Sequence, residues 1–317
     1  MIAIHYQNQT TGEAWDITSI AQSPRWNTVR VGAPATLTFE AIAETEVDWA
    51  LGGSLSLRDD DTGLFYGFIV RIERSDQGML GITAYDQLFW LVQNADTYVI
   101  DGLRADEVVQ LIADDFELTT GELANTGYII PSMVEDGTTL IDIILKALDL
   151  TLINSGQLYT LWDDHGFLRV TAATEQVLEL VLGDESLATG YTYSEDIDTE
   201  TANRIKLVRD NEETLKRDVW VVEDTATQAL WGILQHHESV DEALNHAQVV
   251  ERAEMLLVLK NRPMRSFQIS AIADLRARAG VTLFVNIAEL EISQLFLVDE
   301  VKQDLEAGTM EIRLRIL

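Results

Sequence analysis

The sequence predicts a mostly β protein with an α+β segment in the middle and two similar β-modules, one near each end. Short runs alternating apolar and polar residues dominate residues 1–90 and return over 175–238. Between them the apolar period becomes helical, and one ordered pattern of features occurs twice. The early copy begins with Leu37-Thr-Phe-Glu-Ala-Ile-Ala-Glu44 and the late copy with Phe267-Gln-Ile-Ser-Ala-Ile-Ala-Asp274. Each reads as a strand with one buried face. A glycine follows in both, Gly52 or Gly280, and from there the copies run without a gap. Leu55 and Leu57 fall in register with Leu283 and Val285, and Phe68-Ile-Val70 with Phe296-Leu-Val298, sixteen residues beyond each glycine. Gly78-Met-Leu-Gly-Ile-Thr-Ala84 and Gly308-Thr-Met-Glu-Ile-Arg-Leu314 close the two patterns. Any two β-meanders share alternation and turn glycines. The kept order and the identical glycine-to-Phe spacing favour an internal duplication instead. The sheet positions it singles out are Leu37, Phe39, Ala41, Phe68 and Val70 early, and Phe267, Ile269, Ala271, Phe296 and Val298 late.

Taken in order, residues 1–94 form the first β-module. Its alternating runs are Ile2–Tyr6, Ala35–Ala43, Ser54–Leu57, Leu64–Ile72 and Met79–Tyr85, with turns at Asp59-Asp-Asp-Thr-Gly63 and Ser75-Asp-Gln-Gly78. Asp59 and Asp61 lack the distal glutamate and ligand spacing of a calcium loop and read as a hairpin tip. Leu88-Phe-Trp-Leu-Val92 leaves the sheet to bury itself against the next domain. Residues 95–174 form the α+β middle domain. Ala105, Val108, Val109, Ile112, Ala113 and Phe116 make one helical stripe, and burying its larger side chains contributes about 1.5–3 kcal/mol each. Its partner is a second helix, Thr139–Leu150, apolar nearly all round and capped by Thr139 with Asp142. A hairpin follows, Gln157–Trp162 and Phe167–Val170, around the turn Asp163-Asp-His-Gly166. That Asp-Asp-His trio invites a metal or acid/base reading, but its place before a glycine between two strands favours a turn. Residues 175–317 form the second β-module. Ser186–Thr201 reads as a connecting loop, Ile205–Val208 and Asp218–Val222 as a hairpin, and Ser239 to about Lys260 as a long helix. A capping box at Ser239–Glu242 starts that helix and Pro263 stops it. Its expected buried face is Val240, Ala243, Leu244, Ala247, Val250 and Leu257.

With 317 residues and 47% hydrophobic content, two or three domains with real cores are expected rather than disorder. No cysteine is present, which removes disulfides and thiolate metal sites. The opening residues alternate like a strand and lack a basic, apolar-cored leader, so no signal peptide is expected. No apolar run approaches the ~20 residues of a membrane-spanning helix. The charge is the extreme property: 53 acidic against 22 basic residues, a net of −31. Such a chain repels phosphates and anionic membranes, so tight nucleic-acid or membrane binding is not expected.

No catalytic, metal or cofactor site is expected. The sequence holds no Gly-x-Ser-x-Gly elbow, phosphate-cradling glycine loop or His-Glu-x-x-His helix. His236 and His237 point to opposite faces if extended, and His246 reads as a packing residue. Carboxylate pairs are too abundant for any two to be chosen as a glycosidase pair. The seven tryptophans lack interleaved basic residues and read as packing rather than nucleic-acid stacking.

Several segments occur together in a telling order. They are Gly81-Ile-Thr-Ala-Tyr-Asp-Gln-Leu-Phe-Trp90, the helix with Ile112-Ala-Asp-Asp-Phe116, Thr139-Leu-Ile-Asp-Ile-Ile144, Gly183-Asp-Glu-Ser-Leu-Ala-Thr189, Asn203-Arg-Ile-Lys-Leu-Val208 and Trp231-Gly-Ile-Leu-Gln235, followed by the closing strand pair. The set resembles the XkdQ-like tail proteins of Gram-positive phages, prophages and contractile bacteriocins. That family is similar to the baseplate hubs of contractile phages and to the hub portion of type VI secretion spikes. The resemblance implies two tail-tube-like β-barrel or sandwich modules with helix support, and a homotrimer acting as a symmetry adaptor between a hexameric tube and a trimeric spike. The implied neighbours are a tail-tube or tube-initiator protein, a spike and other baseplate proteins, some of them LysM-bearing. The implied place is the baseplate of a virion or bacteriocin, assembled in the bacterial cytoplasm, with an acidic lumen that DNA passes without being held. Two other readings compete with this structural one: a tail-tip cell-wall hydrolase, and an acidic mimic of DNA.

Overall fold

Alternation of buried and exposed side chains gives strands, and in the computed structural model they dominate the described residues, 1–43, 46–184, 186–198, 200–211, 216–240 and 244–316. The first stretch contains β1 (Ile2–Gln7), β2 (Ala14–Asp16), β3 (Gln22–Val29), β4 (Thr36–Ile42), β5 (Ser54–Asp59), β6 (Thr62–Arg74) and β7 (Met79–Tyr85). Their inward residues, among them Tyr6, Trp26, Leu37, Phe39, Leu55, Phe65 and Ile69, form one core. The Tyr6 hydroxyl donates to the Asp48 carbonyl (2.8 Å) and accepts from the Ala50 amide (2.9 Å), tying the loop after β4 over that core.

Helices and the remaining strands follow. The middle of the chain forms α1 (Leu88–Gln93), β8 (Ala95–Arg104), α2 (Ala105–Asp115), β9 (Thr120–Leu123), β10 (Ile129–Thr139), α3 (Leu140–Ser155), β11 (Tyr159–Asp163) and β12 (Leu168–Ala172). α2 buries the expected stripe, and α3 packs beside it on the β8–β10 ribbon and the β11–β12–β9 sheet. Thr139 caps α3 as its sequence implies, accepting from the Asp142 amide, and Gly156 ends the helix in the left-handed region at φ 71°. Leu88 and Leu91 of α1 leave the first sheet for this core.

The last stretch contains β13 (Val177–Gly183), β14 (Ala188–Asp196), β15 (Arg204–Asn211), β16 (Lys216–Glu223), α4 (Thr225–Trp231), β17 (Gln235–Ser239), α5 (His246–Lys260), β18 (Met264–Ile272), β19 (Thr282–Ile287), β20 (Ile292–Asp304) and β21 (Thr309–Ile316). Here three expectations are corrected. Ser186–Thr201 is not a loop: β14 pairs with β18 as the last strand of a large sheet. It lacks aliphatics because an edge strand is at most half-buried: Ala188 and Tyr193 pack on the core, Tyr193 4.6 Å from the Phe267 ring. The long helix begins at His246, not Ser239. Ser239 lies in β17, the capping box is Asn245 with Gln248, and Asp241, Glu242 and Ala243 lie outside the described residues. The later start rotates the buried face to Val249, Ala253 and Leu256, and leaves Ala247 exposed. Nor does α5 support the late sheet. It packs on the separate β16–β15–β17 sheet, with a core of Ile205, Leu207 and Val240 that also takes Ile153 from α3.

Among the described residues the large sheet has thirteen strands and runs β14-β18-β21-β20-β3-β4-β7-β6-β5-β1-β2, with β19 and then β13 branching from β20. The early and late modules are thus parts of one continuous sheet, joined where β3 pairs with β20.

Candidate assembly surface

The two copies of the sequence pattern have the same wiring. β4 pairs antiparallel with β7, β7 with β6 and β6 with β5; in the late copy β18, β21, β20 and β19 pair in the same sequence. The registers agree residue by residue: Leu37, Phe39 and Ala41 lie opposite Ala84, Ile82 and Leu80, and Phe267, Ile269 and Ala271 opposite Leu314, Ile312 and Met310. The Gly52 amide bonds the Ile69 carbonyl (2.8 Å), and the Gly280 amide bonds the Val298 carbonyl (2.9 Å). Both long strands carry a register shift at the matching place, between Ile69 and Arg71 and between Val298 and Glu300. The copies also differ. β1 runs antiparallel to β5, whereas β13 runs parallel to β19. That parallel pair approaches so closely that a Cβ on Gly183 (φ 143°) would lie 1.8 Å from the Asn286 carbonyl oxygen.

Eight of the ten expected sheet positions lie in the cores. Leu37, Phe39 and Ala41 are buried in the early one; Phe267, Ile269, Ala271, Phe296 and Val298 are buried in the late one, where the Phe267 and Phe296 rings meet edge to face at 5.1 Å. Phe68 and Val70 do not match their assigned partners. Hydrogen bonding makes Ile69 the equivalent of Val298, one residue off the sequence alignment. Phe68 instead packs on Trp90 of α1 at 5.4 Å. These residues bind each sheet from within, so what the sheet offers a neighbour is its opposite face and its edges.

The opposite face is polar and carries both signs. Glu300 lies 3.3 Å from Lys302 and from Arg313, Arg25 lies 3.5 Å from Asp304, and Arg71 lies 4.0 Å from Glu73. At the β3–β20 joint the strands pair from Arg25–Asp304 to Val29–Glu300. The joint is tied at both ends, by Leu305 N–H to the Pro24 carbonyl (3.0 Å) and Arg30 N–H to the Asp299 carbonyl (2.9 Å). Asp299 also accepts from the Arg30 Nε (2.7 Å) and from Arg315. On the core side, buried Gln303 donates to the Asp274 carbonyl (2.8 Å), and the Ala279 amide donates to Thr28 Oγ1 (2.9 Å). One loop therefore crosses the joint from beneath.

The β11–β12 hairpin docks beside that joint. The Asp163–Gly166 segment is a turn, as its sequence suggests: Gly166 N–H donates to Asp163 Oδ1 (2.8 Å), and Asp164 pairs with Arg169 (2.6 Å). His165 Nε2 lies 2.9 Å from Ser56 Oγ of the early sheet. Gly63 is required beneath it, since a Cβ there would lie 2.4 Å from the imidazole. From the late module, the Arg278 guanidinium covers the Trp162 ring at 3.2 Å, and burial pushes it down to about 9. Asp163 accepts from Gln87 Nε2 (2.8 Å), and burial raises its carboxyl to about 6. Asp86 is raised by burial and by the charge of Asp163 while accepting the Ala35 and Leu88 amides. These groups line a cleft of ≈ 250 Å³ between Trp26, Asp86, Trp162 and Arg278. Asp86, Asp163 and Arg278 bond to nearby main-chain groups and to the Gln87 and Gln176 side chains, joining the middle domain to both modules, while the Trp26 indole N–H is buried without a partner among the described residues. Two of the other histidines also pack: Trp220 Nε1 donates to His246 Nδ1 (2.8 Å), and His236 lies 3.2 Å from Glu238, whereas His5 and His237 are exposed.

Comparison with known proteins agrees with this architecture. The chain is 32% identical over 291 residues to the uncharacterized protein YqbQ of Bacillus subtilis, covering 88% of this chain and 86% of that one. It is 33% identical over 268 residues to the protein XkdQ of the phage-like element PBSX of Bacillus subtilis, covering 84% and 81%. Its fold matches the crystal structure of a tail protein from Neisseria meningitidis with a TM-score of 0.73 at 14% identity, over 99% of this chain and 96% of that one. Its fold is therefore that of a phage tail protein. Residues 24–316 match the YqbQ-like family, and the chain belongs to it.

Proposed function

We propose that this protein is the structural hub of a contractile tail, of a phage or an R-type bacteriocin, and that it works without catalysis. Three copies contribute six sheet units to a hexameric tube or its initiator, while the assembly keeps threefold symmetry towards a trimeric spike. Other baseplate proteins, some LysM-bearing, surround it, and it acts in the assembled particle after being built in the bacterial cytoplasm. The observation that carries this reading is the pair of identically wired sheet units, bulged at the same place and fused edge to edge in one chain. The paired charges of the open sheet face suit a wall that neither holds nor strongly repels a passing polyanion.

The test is the mass and symmetry of the purified protein alone and with its spike protein, by light scattering and electron microscopy. A threefold ring with six similar lobes is expected. A protein that stays monomeric even beside its spike and tube partners would overturn the reading.

A further inference from the structure

The two sheet units differ in what lies on their outer faces. Leu55 and Leu57 point into the early core, as Leu283 and Val285 point into the late one. Ser56 and Phe284 between them therefore point outward. In the early unit the chain covers this face itself. Phe68, opposite Ser54, packs on Trp90 of α1 with ring centres 5.4 Å apart. One row further on, His5, Ser56 and Tyr66 lie side by side, and the β11–β12 turn is seated on Ser56 and Tyr66. There His165 Nε2 lies 2.9 Å from Ser56 Oγ, its ring centre is 5.7 Å from that of Tyr66, and a Cβ on Gly166 would come within 3.0 Å of the Tyr66 ring.

In the late unit the cover stops one row short. Thr282 and Leu297, the counterparts of Ser54 and Phe68, are buried, and Thr282 Oγ1 donates to the Ala173 carbonyl (3.4 Å). The next row holds Val181, Phe284 and Leu295, in the places of His5, Ser56 and Tyr66. It is open: Val181 is 50% exposed and Leu295 41%. Val177 of β13, equally exposed, extends it.

We infer that Val181, Phe284 and Leu295 form a docking site for the tip of a β-hairpin from a different protein. That tip carries an aliphatic or aromatic side chain where this chain's own hairpin carries His165. The early unit supplies the mode of contact, and the change of residue types supplies the chemistry. Ser56 and Tyr66 offer hydroxyls to an imidazole, whereas the late row offers only carbon, which gains by shedding water against carbon. The fold itself does not demand carbon there, since the early unit holds Ser and Tyr at the same places. Single exposed apolar residues need no explanation. A row spanning three strands and continuing a surface already covered marks an interaction site. A second copy does not fit the role: its own hairpin tip is already seated, is polar, and brings another charge of −31. The occupant is accordingly neutral or basic. This inference rests on the duplicated sheet and not on the hub reading.

Photocrosslinking of the full chain, in the cells that make it and hence with its natural partners present, tests the site. p-Benzoylphenylalanine replaces Leu295 in one variant and Tyr66 in another, and mass spectrometry identifies the linked peptides. The Tyr66 variant is the control, expected to link to the β11–β12 turn of the same chain. The Leu295 variant is expected to link to a turn between two strands of another, neutral or basic protein. Adding Val181→Ser, which takes the row towards its early counterpart, should lower that yield on the order of tenfold and leave the control unchanged. A link from position 295 to a second copy, or to a partner through a helix or a tail, overturns the proposal. So does the absence of any interchain link there while the control still links. The hub reading is judged by particle symmetry and this site by the linked peptide, so either can fail alone.

Discussion

At the residue scale, the sharpest departure from the sequence lies on β6. Phe68, Ile69 and Val70 are all apolar, so a repeat aligned by its phenylalanines places Phe68 in the core. The structure buries Ile69 there instead and turns Phe68 towards Trp90. A bulge leaves no mark on composition when the residues around it are all hydrophobic, so only hydrogen-bond register reveals it. Ile69→Ala is expected to lower the unfolding free energy by about 2–5 kcal/mol, and Phe68→Ala by less; denaturant titration of both variants checks the order. Buried acids make a second prediction. Asp86 and Asp163 hold protons more tightly folded than unfolded, chiefly because they are buried. Their stabilising contribution is complete below about pH 4 and is lost as pH rises through about 6 for Asp163. Stability measured by chemical denaturation should therefore fall between those values, and Asp163→Asn should flatten the fall. An unchanged slope in that variant would assign the effect to other carboxyls.

At the scale of elements, α2, α3 and the β11–β12 hairpin follow from the spacing of their apolar residues and from the Thr139 cap, because local signals specify them. β14 and α5 do not. An edge strand rich in Tyr, Thr and Ser has no aliphatic alternation to display, and a capping pattern at Ser239 competes with a true one at Asn245. Tertiary pairing decides both. The contact between elements most exposed to test is Arg278 over Trp162. Arg278→Ala should cost about 1–3 kcal/mol through the lost stacking and hydrogen bonds. Arg278→Lys should not restore it, since an ammonium lacks the planar fork. Calorimetry should show the middle domain unfolding earlier in both variants; a Lys variant matching the wild type would mean that charge alone matters there.

At the scale of the whole molecule, the duplication was legible from the glycine spacing and the Ala-Ile-Ala strands. The fusion of the modules through β3 and β20 was not, because pairing between residues more than 270 positions apart has no local signature. Charge governs how such molecules meet. Chains that each carry −31 repel strongly at low ionic strength, and screening shortens that repulsion to about 10 Å at 0.1 M salt. Assembly should therefore strengthen as salt rises from low values, a trend sedimentation velocity can follow; assembly that only weakens with salt would make attraction between opposite charges the dominant force.

The joint between the modules is written mainly in main-chain hydrogen bonds, which any non-proline residue can supply. Side chains along it can change without unfastening it. The two halves are thereby free to grow unlike surfaces for unlike neighbours, as β1 and β13 already show, while their alignment stays fixed.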